Sequence, residues 1–170
     1  QAGFGRNGEY WRSWVPGLAA RHRVLRRDMR AHGGSSAGAA DHAWSPEGLA
    51  ADVVAFLDAL GLERVHYIGE SVGGITGIVL GATAPERFAS ITLVQSPIRL
   101  GPVLQQAMRG DYATWGDALR ELGPGGWVTR HMPPGDAHTE WERKQWDRCD
   151  ADALALLADA TLHVDVADYV

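Results

Sequence analysis

The sequence predicts an α/β fold: a short parallel sheet with helices on both faces, followed by a wholly helical segment. Three observations carry this. Over the first hundred residues, apolar β-favouring runs alternate with helix-period stretches in the order strand, helix, strand, helix, strand, the pattern of parallel strands joined by crossover helices. The run at 65–68 passes abruptly into a helix through Gly69-Glu70-Ser71-Val72-Gly73, a strand-turn-helix signature with one exposed hydroxyl at its apex. From about Gly101 onward only helical spacing recurs, interrupted by Gly123-Pro124-Gly125-Gly126 and Pro133-Pro134-Gly135.

Residues 1–8 form a glycine-rich loop. Tyr10, Trp11, Trp14, Val15 and Leu18 are spaced as on a helix, and Pro16-Gly17 divides that stretch into two short pieces. Residues 23–27 are a strand candidate with Val24 and Leu25 as the apolar pair, and 28–40 read as a Gly/Ser/Ala-rich loop. Ser45-Pro46-Glu47 opens a helix with a cap and a first-turn proline. Leu49, Val53, Phe56, Leu57 and Leu60 give it an apolar stripe, and Gly61 ends it. The turn helix stops before Pro85, and 90–95 is the third strand. Helices are expected near 103–108, 113–122, 139–148, 151–160 and 164–170. The chain is thus divided into 1–97, the sheet-bearing part, and 98–170, a helical lid laid over it.

Composition bounds the function. At 170 residues one domain with a real core is expected. A net charge of −5 argues against a nucleic-acid surface, and the arginines at 21, 23, 26, 27 and 30 read as a solvated edge with Asp28 among them. No apolar run reaches the length of a membrane span, and no signal peptide is visible. The single cysteine, Cys149, excludes an internal disulfide and fits a reducing compartment, so a cytoplasmic location is expected. His131, His138 and Cys149 lack metal-site spacing; neither metal nor cofactor is assigned.

The physical reason for the central motif is crowding. A serine lifted above a sheet edge on a tight bend sits in a strained backbone conformation. The strand and helix then pass so closely that side chains at 69 and 73 would collide, hence Gly69 and Gly73. Four features in order resemble the α/β-hydrolase family of the esterase, enol-lactonase and cofactor-free haloperoxidase type. They are Gly3-Phe4-Gly5, the loop Arg27-Asp28-Met29-Arg30-Ala31-His32-Gly33-Gly34-Ser35-Ser36, Gly69-Glu70-Ser71-Val72-Gly73, and Ala84-Pro85-Glu86-Arg87-Phe88 ahead of Ile91-Thr92-Leu93-Val94. Departures are Ala2 where the family has His, Ala31 where it has Gly, and Glu70 where His is common.

The resemblance implies a partial α/β-hydrolase sheet of about three strands. It makes Ser71 the nucleophile and the backbone N–H groups of Phe4 and Val72 the oxyanion hole. The substrate would be a small-molecule ester or lactone, with no nucleic acid or membrane partner. It also places the catalytic acid and histidine beyond Val170, so the chain reads as an internal fragment with little activity alone. His32 is expected to pin its loop; His22, His42 and His66 read as surface or packing residues. Asp136 and His138 are the local alternative for acid and base.

Two rival functions stand beside this. Gly3-x-Gly5-x-x-Gly8 followed by Asp28 matches a dinucleotide fingerprint and would suit an NAD(P)- or flavin-dependent oxidoreductase. Against it, no strand precedes Gly3, and Pro16-Gly17 breaks the helix that should follow. A non-catalytic interaction module is the other rival. Trp115, Trp127, Trp141 and Trp146 read as lid-to-sheet packing, or more sharply as the lining of an apolar pocket over Ser71. The mixed charges of 139–144 read as a solvated helix face.

Overall fold

The computed structural model describes residues 1–38, 42–133 and 135–170. Ala39 and Ala40 of the expected 28–40 loop, and Pro134 of the second break, lie outside the described residues. A 3₁₀ turn over Gly8–Trp11 leads to helix α1 (Val15–Ala19); two short pieces form as expected, but the break falls at 12–14 and Pro16-Gly17 lie inside α1, where proline is tolerated in the first turn. Helix α2 (Pro46–Ala59) begins where the Ser45 side chain accepts the Gly48 N–H and turns Leu49, Ala50, Val53 and Leu57 inward. It ends at Gly61, whose φ of 64° suits the left-handed position after a helix.

Strand β1 (Val65–Glu70) runs into α3 (Val72–Thr83), and a 3₁₀ turn over Pro85–Arg87 leads into β2 (Phe88–Val94). The strands are parallel, with Tyr67 opposite Ile91 and Gly69 opposite Leu93. Helix α3 packs against both strands and α2 packs against α3. Tyr67, Ile75, Val79, Leu80 and Phe88 bury with Ala50, Val53 and Leu57 in one core. This strand-helix-strand unit is right for a parallel sheet, whose strands cannot be joined by a tight turn.

Among the described residues the sheet has two strands, not about three. Residues 23–27 have no ladder partner. Between them and β1 lies a cavity of about 510 Å³ bordered by Leu18, Val24, Leu25, Phe56, Tyr67 and Ile68. A strand exists only through bonds to a neighbour, and this gap keeps 23–27 from reaching one. On that same edge β1 pairs with the chain start: the Glu70 N–H donates to Gln1 O at 3.0 Å, and the Gln1 amino group donates to Ile68 O.

The second half contains α4 (Pro102–Arg109), α5 (Trp115–Leu122), α6 (Pro124–His131), α7 (Ala137–Trp146) and α8 (Ala151–Leu162). Two expectations fail here. The Gly123-Pro124-Gly125-Gly126 break opens α6, because Gly123 at φ 71° turns the chain and Pro124 is suited to a first helical turn. Residues 164–170 are not a helix. Asp165 forms an isolated antiparallel bridge with Arg99, the Val166 N–H donates to Ile98 O at 3.0 Å, and only Ala167–Tyr169 coil into a 3₁₀ turn. Val164 and Val166 are buried with exposed Asp165 between them, a period of two rather than 3.6.

A second core joins the two halves: Phe4, Met29, Leu49 and Val72 pack with Trp115, Leu119, Trp127, Val128, Trp146, Leu154 and Leu157. No helix among the described residues is long and apolar enough to cross a membrane.

Candidate active site

Ser71 lies between β1 and α3 with φ 52° and ψ −117°, a region sparsely open to residues with a Cβ and costing about 1–3 kcal/mol. Bonds on both sides hold it there. Its N–H donates to Val94 O at 3.0 Å, at the end of β2, and its carbonyl accepts the N–H groups of Gly74 and Ile75, each at 2.9 Å. Its hydroxyl makes no hydrogen bond with the described residues, and the residue is half-buried.

The glycines are required by close approach: from Gly69 the crowding is against position 73, as expected, whereas Gly73 itself faces the chain start. A Cβ on Gly69 would run into Gly73 O and stand 2.5 Å from Gly73 C, and one on Gly73 would stand 2.5 Å from Gln1 O and 3.0 Å from Ala2 O. Gly69 thus makes room for the backbone of the turn, whereas Gly73 makes room for the chain entering at residues 1–2. Gly3 also lies over the turn: a Cβ there would be 2.8 Å from Ser71 Cβ.

The donors of that loop can be accounted for one by one. The Gly3 N–H donates to Glu70 Oε2 at 2.9 Å, the Gly5 N–H to His32 Nε2 at 3.0 Å, and the Arg6 N–H to Gly3 O at 3.3 Å. The Phe4 N–H has no partner among the described residues. At the start of α3, where the first N–H groups have no intrahelical acceptor, Val72 is in the same position. Two unpartnered amides therefore flank the turn that carries Ser71, and the positive end of the α3 dipole lies there too.

His32 is fully buried, and burial lowers its pKa from 6.5 to about 4. Because Nε2 accepts from Gly5, the proton of the neutral ring sits on Nδ1, which donates to Arg30 O at 2.8 Å. The pinning expected of His32 therefore acts on the Gly3–Gly5 loop as well as on its own. Asp28 accepts the Gly8 N–H at 2.7 Å and the Gly34 N–H at 2.8 Å. Those bonds engage both carboxylate oxygens in bracing two loops, in place of the ribose contact a dinucleotide site needs.

The sequence reading missed an ion cluster beneath the loop. Arg6 donates to Glu70 Oε1 at 3.0 Å and to Glu142 Oε1 at 2.7 Å, with Glu70 2% and Glu142 1% exposed. The 139–144 segment is thus not wholly a solvated face. Thr139, Glu142 and Gln145 turn inward while Glu140 and Lys144 stay out. The three-residue spacing of those inward residues was the available signal.

The remaining candidates are engaged elsewhere. Asp136 caps α7, accepting the Thr139 N–H at 2.8 Å. His138 is exposed beside Glu142, and His131 stacks on Trp127 with Nδ1 2.8 Å from Trp127 O. No hydrogen bond joins any of these to Ser71. Burial pushes the Cys149 thiol up to about 12, so it stays protonated. Among the described residues no group of three or more His, Cys, Asp or Glu comes together as a metal site would require. Trp115 and Trp127 are 2% and 8% exposed, and Trp127 stacks on Trp146 with centroids 5.0 Å apart. Phe4 stacks on Trp115 at 4.2 Å, so these tryptophans pack α5, α6 and α7 onto the loop.

A parallel strand, a strained serine turn and a helix opening at that turn, in this order, define an α/β fold with Ser71 at the strand-to-helix bend. A family profile described as "alpha/beta hydrolase fold" matches residues 2–132, and the chain belongs to that family. RutD of Azorhizobium caulinodans, named as a candidate carbamate hydrolase, is 37% identical over 105 residues, covering 62% of this chain and 39% of that protein. The 3-oxoadipate enol-lactonase 1 of Acinetobacter baylyi is 36% identical over 90 residues, covering 53% of this chain and 33% of the enzyme. The chain thus spans about two fifths or less of the length of these curated relatives. The crystal structure of the enol-lactonase from Burkholderia xenovorans superposes with a TM-score of 0.72 at 25% identity, covering 98% of this chain and 64% of that one.

Proposed function

We propose that this chain carries the nucleophile of a serine hydrolase acting on a small carboxylic ester or lactone. The carrying observation is the strained Ser71 backbone beside two amides without partners. In this reading Ser71 Oγ bonds to the carbonyl carbon, its proton passes to a base, and the carbonyl oxygen becomes an oxyanion. The Phe4 and Val72 N–H groups receive that oxygen. Each such donor contributes roughly 3–4 kcal/mol of transition-state stabilisation in measured cases. Residues 1–97 supply the core and 98–170 the lid. No described histidine is hydrogen-bonded to Ser71, so this reading names no base or acid among the described residues. The relatives' names support the substrate class, because a carbamate and an enol-lactone both present an acyl carbon bearing a heteroatom leaving group.

The test is a fluorophosphonate probe applied to the protein expressed from its complete reading frame. Labelling at Ser71 and its loss in Ser71→Ala are expected, together with no steady ester turnover by residues 1–170 alone. Undiminished turnover by the Ser71→Ala protein would sink the reading.

A further inference from the structure

The Glu70–Arg6–Glu142 cluster joins three separate elements at one point. Glu70 is the residue immediately before Ser71, Arg6 closes the turn that presents Phe4, and Glu142 lies on α7 in the lid. The Glu70 carboxylate holds both ends of the Gly3–Arg6 turn, one oxygen on the Gly3 N–H and the other on the Arg6 guanidinium. That fixes how far the Phe4 N–H stands from the serine turn. Arg6 bonds through Nη1 to Glu70 and through Nε to Glu142, so the same side chain senses where α7 sits. Tyr10 completes the surroundings, with the Arg6 guanidinium 4.9 Å from its ring centroid. Two nearly buried carboxylates sharing one cation are costly to desolvate and costlier to unpair. A purely packing role would be served as well by apolar side chains.

We propose that Glu70 and Arg6 are positioning residues that set the Phe4 N–H against Ser71, and that Glu142 makes this setting depend on the seating of lid helix α7. The proposal rests on the assignment of Ser71 as nucleophile and of Phe4 as an oxyanion donor. With α7 seated, Arg6 is held from both sides and the donor is in place. With α7 displaced, Arg6 loses one anchor and the turn can drift. A substrate that seats the lid thereby completes its own oxyanion site.

The experiment measures fluorophosphonate labelling of the full-length protein, split into a limiting rate and a half-saturating probe concentration, with near-ultraviolet circular dichroism as the fold control. Glu142→Gln keeps the shape and removes the charge. Arg6→Lys keeps the charge and removes the two-pronged reach. Both are expected to lower the limiting rate at least about tenfold, a fraction of what loss of a whole oxyanion donor costs. The half-saturating concentration and the dichroism should stay as in the parent. Glu142→Asp at lowered temperature, expected to recover part of the rate, serves if either variant unfolds. Parent-like limiting rates in Arg6→Lys and Glu142→Gln, while Ser71→Ala is unlabelled, would overturn the coupling and leave the nucleophile assignment standing. Labelling that persists in Ser71→Ala would instead overturn the assignment itself.

Discussion

Gly5 donates its backbone N–H to Nε2 of His32 across 3.0 Å, in a site where the imidazole is fully buried. The bond requires an unprotonated Nε2. Burial holds the ring's pKa at about 4 against 6.5. Above pH 6.5 both folded and unfolded chains carry neutral His32, and the stabilisation is complete. As pH falls from 6.5 toward 4 the unfolded chain takes up the proton and the folded one resists, so stability declines by up to about 3 kcal/mol. Urea midpoints at pH 7.5 and 4.5 check this. In His32→Gln, which cannot titrate, that share of the decline should vanish; an equal decline in both proteins would refute the assignment.

Backbone strain at Ser71 predicts a trade between stability and reactivity. Ser71→Gly removes the Cβ that makes φ 52° costly, and should raise stability by about 1 kcal/mol after the extra chain entropy of glycine is subtracted. The thermal midpoint should rise while probe labelling disappears. A fall in the midpoint would show that the turn is not strained.

Two glycines near the sheet should respond in opposite directions. Gly69→Ala would press a methyl group into the Gly73 carbonyl, whose carbon lies 2.5 Å away, where only backbone can yield, at a cost of about 2–3 kcal/mol. Gly81→Ala, inside α3, meets only the tip of Ile91 at 3.4 Å and should add up to about 1 kcal/mol through helix propensity. Denaturant titrations of the two variants give the signs.

The tryptophan cluster predicts where the helices of the second half are held. Trp127 is buried among Trp115, Trp146 and His131, and its Nε1–H donates to Met108 O at 2.9 Å. Trp127→Ala should cost about 3–5 kcal/mol. Val103→Ala, 86% exposed on α4, should change stability by less than about 0.5 kcal/mol. Altered substrate preference with unchanged stability in Trp127→Ala would revive the pocket-lining role.

Much of the site could be read from the chain itself, since the serine turn, its glycines and the loops at Gly3-Phe4-Gly5 and Asp28 are local patterns. Residues 23–27 show the limit. Their β-favouring composition is real, but a ladder depends on what lies alongside, and there a cavity intervenes. The valines at 164 and 166 show it again: an alternation of only three residues does not stand out after the helical pattern preceding it. Glu142 escaped because its sequence neighbours are charged, while its partner Arg6 lies 136 residues away.

By itself the order of residues determined the parallel strand-helix-strand unit and the strained turn at Ser71, because both follow from spacing of apolar residues and glycines within a few turns of chain. Only the folded molecule decided which amides near that turn lack partners, that His32 holds the Gly3–Gly5 loop, and that Arg6 draws Glu70 and Glu142 to one point. Those facts depend on contacts between distant segments. Such contacts are selected by burial and by pairing of charge, neither of which is written in local periodicity.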